Sequence, residues 1–230
     1  SSTIMSKRSK TKAPSKRPKE RVKNIIVFTD GSCIGNGKEQ AIGGIGIHFP
    51  KKELKDISKV YRDGFCTNQR TELYAILTAL RYIKKNLGLS QYKVHIKTDS
   101  NYSINCVTKW IGKWKKNGWK TTNGDDVSNK EYIELIDKYN ERYDITYAHV
   151  AAHTGKSDAN SRANAKADEL ALAASKRAQS EVSRGSCLNK SRSKRSTSKR
   201  SGNQNPRLKS KYLSKSNKSG DDIIVELVKS

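Results

Sequence analysis

Four carboxylates fall where apolar runs stop or amphipathic ones begin: Asp30 after Ile25-Ile26-Val27-Phe28, Glu72 at the opening of a helix-patterned run, Asp99 after residues 92–98, and Asp168 inside an Ala-rich segment. If the first and fourth strands of a sheet are parallel neighbours, Asp30 and Asp99 share its carboxyl end, where open α/β sheets bind ligands. Grouped carboxylates repel one another and persist together mainly when a hard cation neutralises them. Mg²⁺ takes a few carboxylates together with waters and phosphate oxygens. In a chain of net charge +25, an acidic pocket of this kind points to metal-assisted chemistry on phosphate. Two ions about 4 Å apart would hold an attacking water on one side and a leaving 3′ oxygen on the other. From spacing alone, the same four acids read equally as ordinary helix caps and surface groups.

Bringing such acids together requires a mixed sheet. The β-branched and aromatic run at 25–28, closed by Thr29-Asp30-Gly31, predicts a buried strand with Asp30 at its end. Residues 41–49 predict a Gly-bearing strand and 57–65 a third, joined by short turns into an antiparallel meander. Leu73, Ile76, Leu77, Leu80 and Ile83 recur at helical spacing over 71–86, with Glu72 in the first turn. Residues 92–98 alternate as a strand, and helical periodicity returns at 102–110. Ser128-Asn129-Lys130-Glu131 has the form of a capping box ahead of Tyr132, Leu135, Ile136 and Tyr139. A last strand is expected over 144–150. A last helix follows over 162–174, with Ala163, Ala167, Leu170 and Ala174 turned inward. The order βββαβααβα predicts an α/β fold, a mixed five-stranded sheet flanked by helices.

Composition limits how much of the chain this fold accounts for. Only 33% of the 230 residues are hydrophobic, and the basic excess is uneven. Residues 1–23 carry nine Lys/Arg against one acid, 24–175 carry 23 against 17, and 176–230 carry 15 against 4. A basic arm over 1–23 and a Ser/Lys/Arg-rich tail over 176–230 are too poor in large apolar side chains to offset the entropy of ordering, and are expected to be disordered. Residues 24–175 are expected to form one domain, of a size that buries roughly 70% of its unfolded surface. Cys33, Cys66, Cys106 and Cys187 are scattered, without a CxxC pair or adjacent histidines, so neither a zinc site nor a disulfide framework is indicated. That usage, with no membrane-length apolar run and no apolar stretch at the N-terminus, predicts an intracellular, non-secreted location, nuclear or cytoplasmic, with no membrane contact. A pI near 10.0 predicts an anionic partner, nucleic acid first.

The residues around the four acids are more specific than their spacing. Thr29-Asp30-Gly31-Ser32-Cys33, Thr67-Asn68-Gln69-Arg70-Thr71-Glu72-Leu73, Thr98-Asp99-Ser100-Asn101-Tyr102 and Asn164-Ala165-Lys166-Ala167-Asp168-Glu169-Leu170-Ala171 resemble, in order, the four acidic motifs of the type 1 ribonuclease H family. The likeness runs from about residue 24 to 174 and leaves out both tails. It also takes in 109–120, Lys-Trp-Ile-Gly-Lys-Trp-Lys-Lys-Asn-Gly-Trp-Lys, which looks like the family's basic protrusion. No separate hybrid-binding module is expected ahead of the catalytic region. The resemblance implies a ribonuclease H-like fold and endonucleolytic, Mg²⁺-dependent hydrolysis of the RNA strand of RNA–DNA hybrids, leaving 5′-phosphate and 3′-hydroxyl ends. Such an enzyme would remove primers or R-loops, act as a monomer, and accept Mn²⁺ in place of the two Mg²⁺ ions. On the matching positions Asp30 would bridge both ions, Asp168 would complete the first, and Glu72 with Asp99 the second. His153 matches the family's mobile histidine, whose ordinary pKa suits moving a proton during product release. Ala152 stands where the family usually has glycine, and residues 154–163 form a longer connection than usual, expected to bulge outward. Asp158 lies in that connection without the motif that surrounds Asp168.

By the same resemblance, Cys33, Asn36, Asn68, Gln69, Ser100 and Asn101 line the minor-groove side and sense the 2′-hydroxyls of one strand. Asn36 and Asn68 are equally suited to turns. Thr67 and Asn129 fall where the family holds a DNA phosphate. Phe65 replaces the arginine usual two residues before that threonine, leaving Arg62 or Arg70 as substitutes. Trp110, Trp114 and Trp119, interleaved with Lys113, Lys115 and Lys116, offer cations for phosphate and flat faces for deoxyribose. Trp114 is expected to face DNA with Thr122, and Trp119 to be mostly structural.

The alternative is a catalytically weak nucleic-acid-binding protein of the same fold. Residues 221–227, Asp-Asp-Ile-Ile-Val-Glu-Leu, resemble a motif that adds a strand to the small ubiquitin-like modifier. They read equally as a strand docking back on the domain or as chance. Basic residues within 190–200 match a nuclear localisation signal only loosely.

Overall fold

The computed structural model describes residues 22–151 and 158–193. Residues 1–21, the 221–227 segment and the basic run from 194 onward therefore lie outside the described residues. Five strands, β1 (Lys23–Ile34), β2 (Ile42–His48), β3 (Ile57–Tyr61), β4 (Tyr92–Thr98) and β5 (Ile145–His149), form one sheet in the order β3-β2-β1-β4-β5. The β1–β2 and β2–β3 pairs are antiparallel, while β1–β4 and β4–β5 are parallel. The helices are α1 (Asn68–Leu87), α2 (Asn101–Asn105), α3 (Ile111–Lys116), α4 (Lys130–Asn140) and α5 (Ala159–Ser193). A π-helical stretch, Cys106–Trp110, links α2 to α3. Among the described residues, no helix is long and apolar enough to cross a membrane.

Periodicity explains the larger core. On α1, Leu73, Ile76, Leu77, Leu80 and Ile83 are buried, packed with Ile25, Val27, Ile45 and Ile47 of the central strands. Each such side chain contributes roughly 1.5–3 kcal/mol relative to exposure. A smaller cluster of Phe28, Val150, Ala163 and Ala167 lies with α5. That helix sits flush on β2 because the strand has no side chains in its way. A Cβ at Gly46 would overlap the Ala167 carbonyl, and one at Gly44 the backbone of Ala171 and Ser175.

Four expectations are corrected. Asp30 lies inside β1 rather than at its end: pairing with β4 stops at Phe28↔Lys97, but pairing with β2 runs on to Ile34↔Ile42. The capping box does not form, since Asn129 precedes α4 in the left-handed region (φ 61°) and makes no side-chain cap; its amide is engaged elsewhere. Of the connection expected to bulge over 154–163, residues 159–163 belong to α5, while 154–157 lie outside the described residues. Asp158 starts that helix, Oδ1 accepting from the backbone N–H of Asn160 and of Ser161 and Oδ2 from the Ser161 hydroxyl. Lastly, α5 passes the expected end at 174 and continues to Ser193, so the stretch 176–193 is helix rather than disordered. Its inward residues are Ala163, Ala167, Ala171, Ala174 and Ala178, with Leu170 only partly covered. Polar bonds bind the continuation to the sheet: Ser32 Oγ to Ser175 Oγ at 3.0 Å, Arg177 to the Ser58 carbonyl at 2.8 Å, and Arg62 to Glu181 at 2.6 Å. Low hydrophobicity concealed the extension, because Lys, Arg, Gln and Ala are all good helix formers.

Candidate active site

The sheet brings three of the four acids together. Asp30 and Asp99 stand level, each two residues beyond the last β1–β4 pair, Phe28↔Lys97. Gly31 lets α1 descend onto β1, because a Cβ there would collide with the backbone of Thr71 and Glu72. Thr67 fixes that helix start, its hydroxyl accepting from the Arg70 N–H at 3.1 Å. Glu72 thereby reaches the strand, and one carboxylate oxygen from each of Asp30, Glu72 and Asp99 lies within 4.8 Å of the others.

Burial and crowding govern the protons here. Asp30 is 6% and Glu72 9% exposed. The Asp30 carboxyl is pushed up from 3.8 to about 7, first by burial and then by the charge of Asp99, with Asp168 adding to it. Glu72 is held well above the usual carboxylate range by burial and then by Asp30. Among the described residues no Lys or Arg pairs with any of the four acids. Asp99 is steadied instead by a neutral amide, Asn164 Nδ2 donating to its Oδ2 at 3.1 Å, while its backbone carbonyl meets His149 Nε2 at 3.2 Å. Asn164 is 4% exposed, and its Oδ1 has no hydrogen-bond partner among the described residues. A compact set of oxygen donors with no balancing cation, beside a buried acceptor awaiting a donor, fits a hydrated hard cation.

Asp168 lies one helical turn beyond Asn164 and stands outside the three-acid cluster, although its charge is felt at Asp30. Asp158, its sequence rival, is occupied as a helix cap. His153 lies outside the described residues.

Of the expected hybrid-reading residues, Asn36 and Asn68 meet. Asn36 Oδ1 accepts from the Asn68 backbone N–H at 3.1 Å, tying the β1–β2 turn to the start of α1. Gln69 and Asn101 are exposed, and Ser100 caps α2 through its hydroxyl, which accepts from the Ser103 N–H. The expected phosphate holders already have partners. Thr67 caps α1, and Asn129 donates to the Tyr102 hydroxyl at 3.0 Å and accepts from Arg70 at 3.3 Å. Arg70 also bonds Tyr61, pairs with Glu131 at 2.5 Å and lies over the Tyr132 ring. This guanidinium ties the first turn of α1 to the start of α4, whereas Arg62 is turned to Glu181.

The basic segment sorts its residues differently from the expectation. Trp114 is the middle of a ladder, 5.7 Å from Trp110 and 6.3 Å from Trp119 between ring centres. Trp114 and Trp119 both pack against the core, so the indole that presents its face is Trp110, 40% exposed. Lys115 is paired with Asp137 at 2.7 Å and Glu141 at 2.6 Å. Lys113 and Lys116 are exposed, as is Thr122.

Sequence reasoning missed three features: the Asn164–Asp99 bond, the Arg70 hub and the approach of Cys33 to Cys66. Only the first had a visible signal, since Asn164 stands four residues before Asp168 and shares its helix face.

Comparison with known proteins gives one consistent result. The RNase H family model matches residues 22–176. The chain is 45% identical over 202 residues to a probable ribonuclease H of Acanthamoeba polyphaga mimivirus, covering 85% of this chain and 88% of the viral protein. Over 128 residues it is 37% identical to ribonuclease H1 of Mus musculus, spanning 55% of this chain but only 43% of the mouse protein. The solved RNase H domain of PFV superposes with a TM-score of 0.52 at 27% identity, covering 66% of this chain and 93% of that domain. LC9-RNase H1, described as a type 1 RNase H with the type 2 active-site motif, gives 0.52 at 25% identity, covering 67% and 73%.

Proposed function

The chain belongs to the ribonuclease H family, and from that premise we propose that it hydrolyses the RNA strand of RNA–DNA hybrids, using Mg²⁺ held by Asp30, Glu72, Asp99 and Asp168. The observation that carries this reading is the cluster of Asp30, Glu72 and Asp99, two buried carboxyl groups and a half-buried one with no cationic partner among the described residues, in a strongly basic chain. A protein that only coated nucleic acid would gain nothing from such repulsion, which counts against the binding-protein alternative. When bound, the ions lower the pKa of an attacking water and neutralise charge on the leaving 3′ oxygen.

The chain's own residues do the rest. Asp30, level with Asp99 and close to Glu72, would hold the metal together with those two acids, and Asp168, whose charge is felt at Asp30, would add a further carboxylate. Asn164 keeps the Asp99 carboxylate from turning, and its Oδ1, without a partner among the described residues, is placed to accept from a bound water. Asn36, Asn68, Gln69 and Asn101 offer short polar groups to the minor groove, where 2′-hydroxyls distinguish RNA from DNA. Trp110 offers a face to deoxyribose, and Lys113 with Lys116 attracts phosphate. His153 is assigned the proton step at product release. Products carry 5′-phosphate and 3′-hydroxyl ends.

Digestion of a labelled hybrid beside double-stranded RNA, duplex DNA and each single strand, with Mg²⁺ or with chelator, tests the reading. Cleavage confined to the RNA of the hybrid and abolished by chelation is expected. Equal cleavage of double-stranded RNA, or cleavage in excess chelator, would overturn it.

A further inference from the structure

Cys33 and Cys66 stand 33 positions apart in sequence, yet their sulfurs are 2.8 Å apart. Cys33 lies on β1 three residues past Asp30, and Cys66 immediately precedes Thr67, the cap of α1. Room for the second thiol comes from β2: Cys33 pairs with Gly43, and a Cβ at Gly43 would fall 2.7 Å from the Cys66 sulfur. Cys66 is 3% exposed, whereas Cys33 is half-buried. Both thiols are free, and the Asn36–Asn68 bond next to them makes a second tie between the same two segments.

We propose that Cys33 and Cys66 are a modification site, a dithiol that small-molecule disulfides of the glutathione class convert reversibly into an intramolecular disulfide. Closing the bond shortens the sulfur separation to roughly 2.05 Å, a movement of less than about 1 Å. The balance is that of thiol–disulfide exchange. The Cys33 thiolate attacks one sulfur of the small disulfide, forming a mixed disulfide and releasing one thiol. Cys66 then gives its proton to water and attacks the Cys33 sulfur, breaking the mixed bond and releasing the second thiol. Two protein thiols are oxidised and one small disulfide is reduced. Burial, and then Cys33 itself, holds the Cys66 thiol above its ordinary range, so the more accessible Cys33 is the attacking group.

The consequence rests on the assignment of Asn36, Asn68 and Gln69 as hybrid-reading residues. A bond between β1 and the residue before the α1 cap ties those three side chains into one fixed arrangement and removes the Cys33 thiol from the groove. Hybrid cleavage is expected to slow by about tenfold, while the domain gains thermal stability through the closed loop.

The test uses the full chain carrying Cys187→Ser, to exclude pairing through that residue, exposed to glutathione disulfide and then alkylated. The expected results are one cross-linked peptide joining Cys33 to Cys66, a melting temperature higher by roughly 5–10 °C, and slowed hybrid cleavage, with all three reversed by dithiothreitol. Cys66→Ala, or Cys66→Ser if alanine folds poorly, should keep the reduced cleavage rate and lose every response. Absence of the cross-link, arrest at a Cys33–glutathione adduct, or a disulfide that leaves cleavage unchanged would overturn the proposal. Should the reduced protein not cut hybrids at all, the functional reading fails, while the peptide map and the melting shift still decide whether the pair oxidises.

Discussion

The acidic cluster and the Trp/Lys segment treat charge in opposite ways. At Asp30, Glu72 and Asp99 three carboxyl groups are crowded together, the first two buried and the third half-buried, with no basic partner among the described residues. At 109–120 the lysines are exposed, and two of them are already neutralised, Lys115 by Asp137 and Glu141, Lys120 by Asp126. Uncompensated burial raises the free energy of the folded state unless something arrives to relieve it. A paired surface lysine holds two helices together and leaves little attraction for a phosphate. The difference shows that a run of like charges in sequence marks a binding surface only after its internal partners have been subtracted.

The strongest way to break this comparison is at Asp30. Asp30→Asn should reduce hybrid cleavage by of order 10³-fold or more, measured with labelled hybrid under single-turnover conditions. It should also stabilise the metal-free protein at alkaline pH. The sign follows from the direction of the shift: the folded-state pKa of about 7 exceeds the ordinary 3.8, so the protonated acid is favoured in the fold. The stability it lends is complete below about pH 4 and is lost as pH rises through 7, a cost of roughly 2–4 kcal/mol by pH 8. Thermal melts of metal-free protein at pH 5 and pH 8 should therefore show the parent falling further than Asp30→Asn. Added Mg²⁺ should raise the parent's melting temperature more at pH 8 than at pH 5. Equal pH slopes for parent and variant would mean that the repulsion is relieved in some other way.

Asn164 comes next. Asn164→Ala removes the amide that steadies Asp99 and the buried acceptor beside it, and a supporting residue of this kind contributes 10–100-fold in metal affinity or activity. Calorimetric titration of Mn²⁺ into the nucleic-acid-free protein should show weaker binding with little change in melting temperature. Unchanged affinity would reduce Asn164 to a packing residue.

How far the sequence disclosed this arrangement depends on what kind of signal each part leaves. The order of elements along the chain and the inward face of α1 follow from periodicity, because each is encoded within a few consecutive residues, whereas the strand order β3-β2-β1-β4-β5 rests on pairings between distant segments. The capping box and the end of α5 likewise turn on distant residues. Asn129 is drawn from its local role by Arg70 and Tyr102, and α5 is held past 174 by Ser32, Ser58 and Arg62, contacts between residues more than a hundred positions apart. The Cys33–Cys66 approach was hidden for the same reason, since it depends on β1, β2 and the entry to α1 being assembled first.

In the basic segment the aromatic ladder gives a moderate effect. Trp110→Ala should weaken hybrid binding by about tenfold, the low end of what a stacked aromatic contributes, and leave the melting temperature nearly unchanged. Trp114→Ala, which removes the middle indole packed on the core, should lower the melting temperature instead. The reverse pattern would restore Trp114 as the residue that faces DNA.

The smallest effects separate the lysines from one another. Each phosphate contact releases counterions, so its removal lowers the slope of log affinity against log salt by about 1. Lys113→Ala and Lys116→Ala should each do so, because both side chains are exposed and neither has an ion pair among the described residues. Lys115→Ala should leave the slope where it is, since Asp137 and Glu141 already hold its ammonium group and that pairing raises its proton affinity. Its cost should appear as a slightly lower melting temperature, by about 1–2 °C, as α3 loses its tie to α4. Affinities measured from 50 to 200 mM salt for the three variants would decide it. A salt slope for Lys115→Ala as reduced as the other two would mean that Lys115 leaves its acids for phosphate when the hybrid binds, and that the distinction between compensated and uncompensated charge dissolves on contact with substrate.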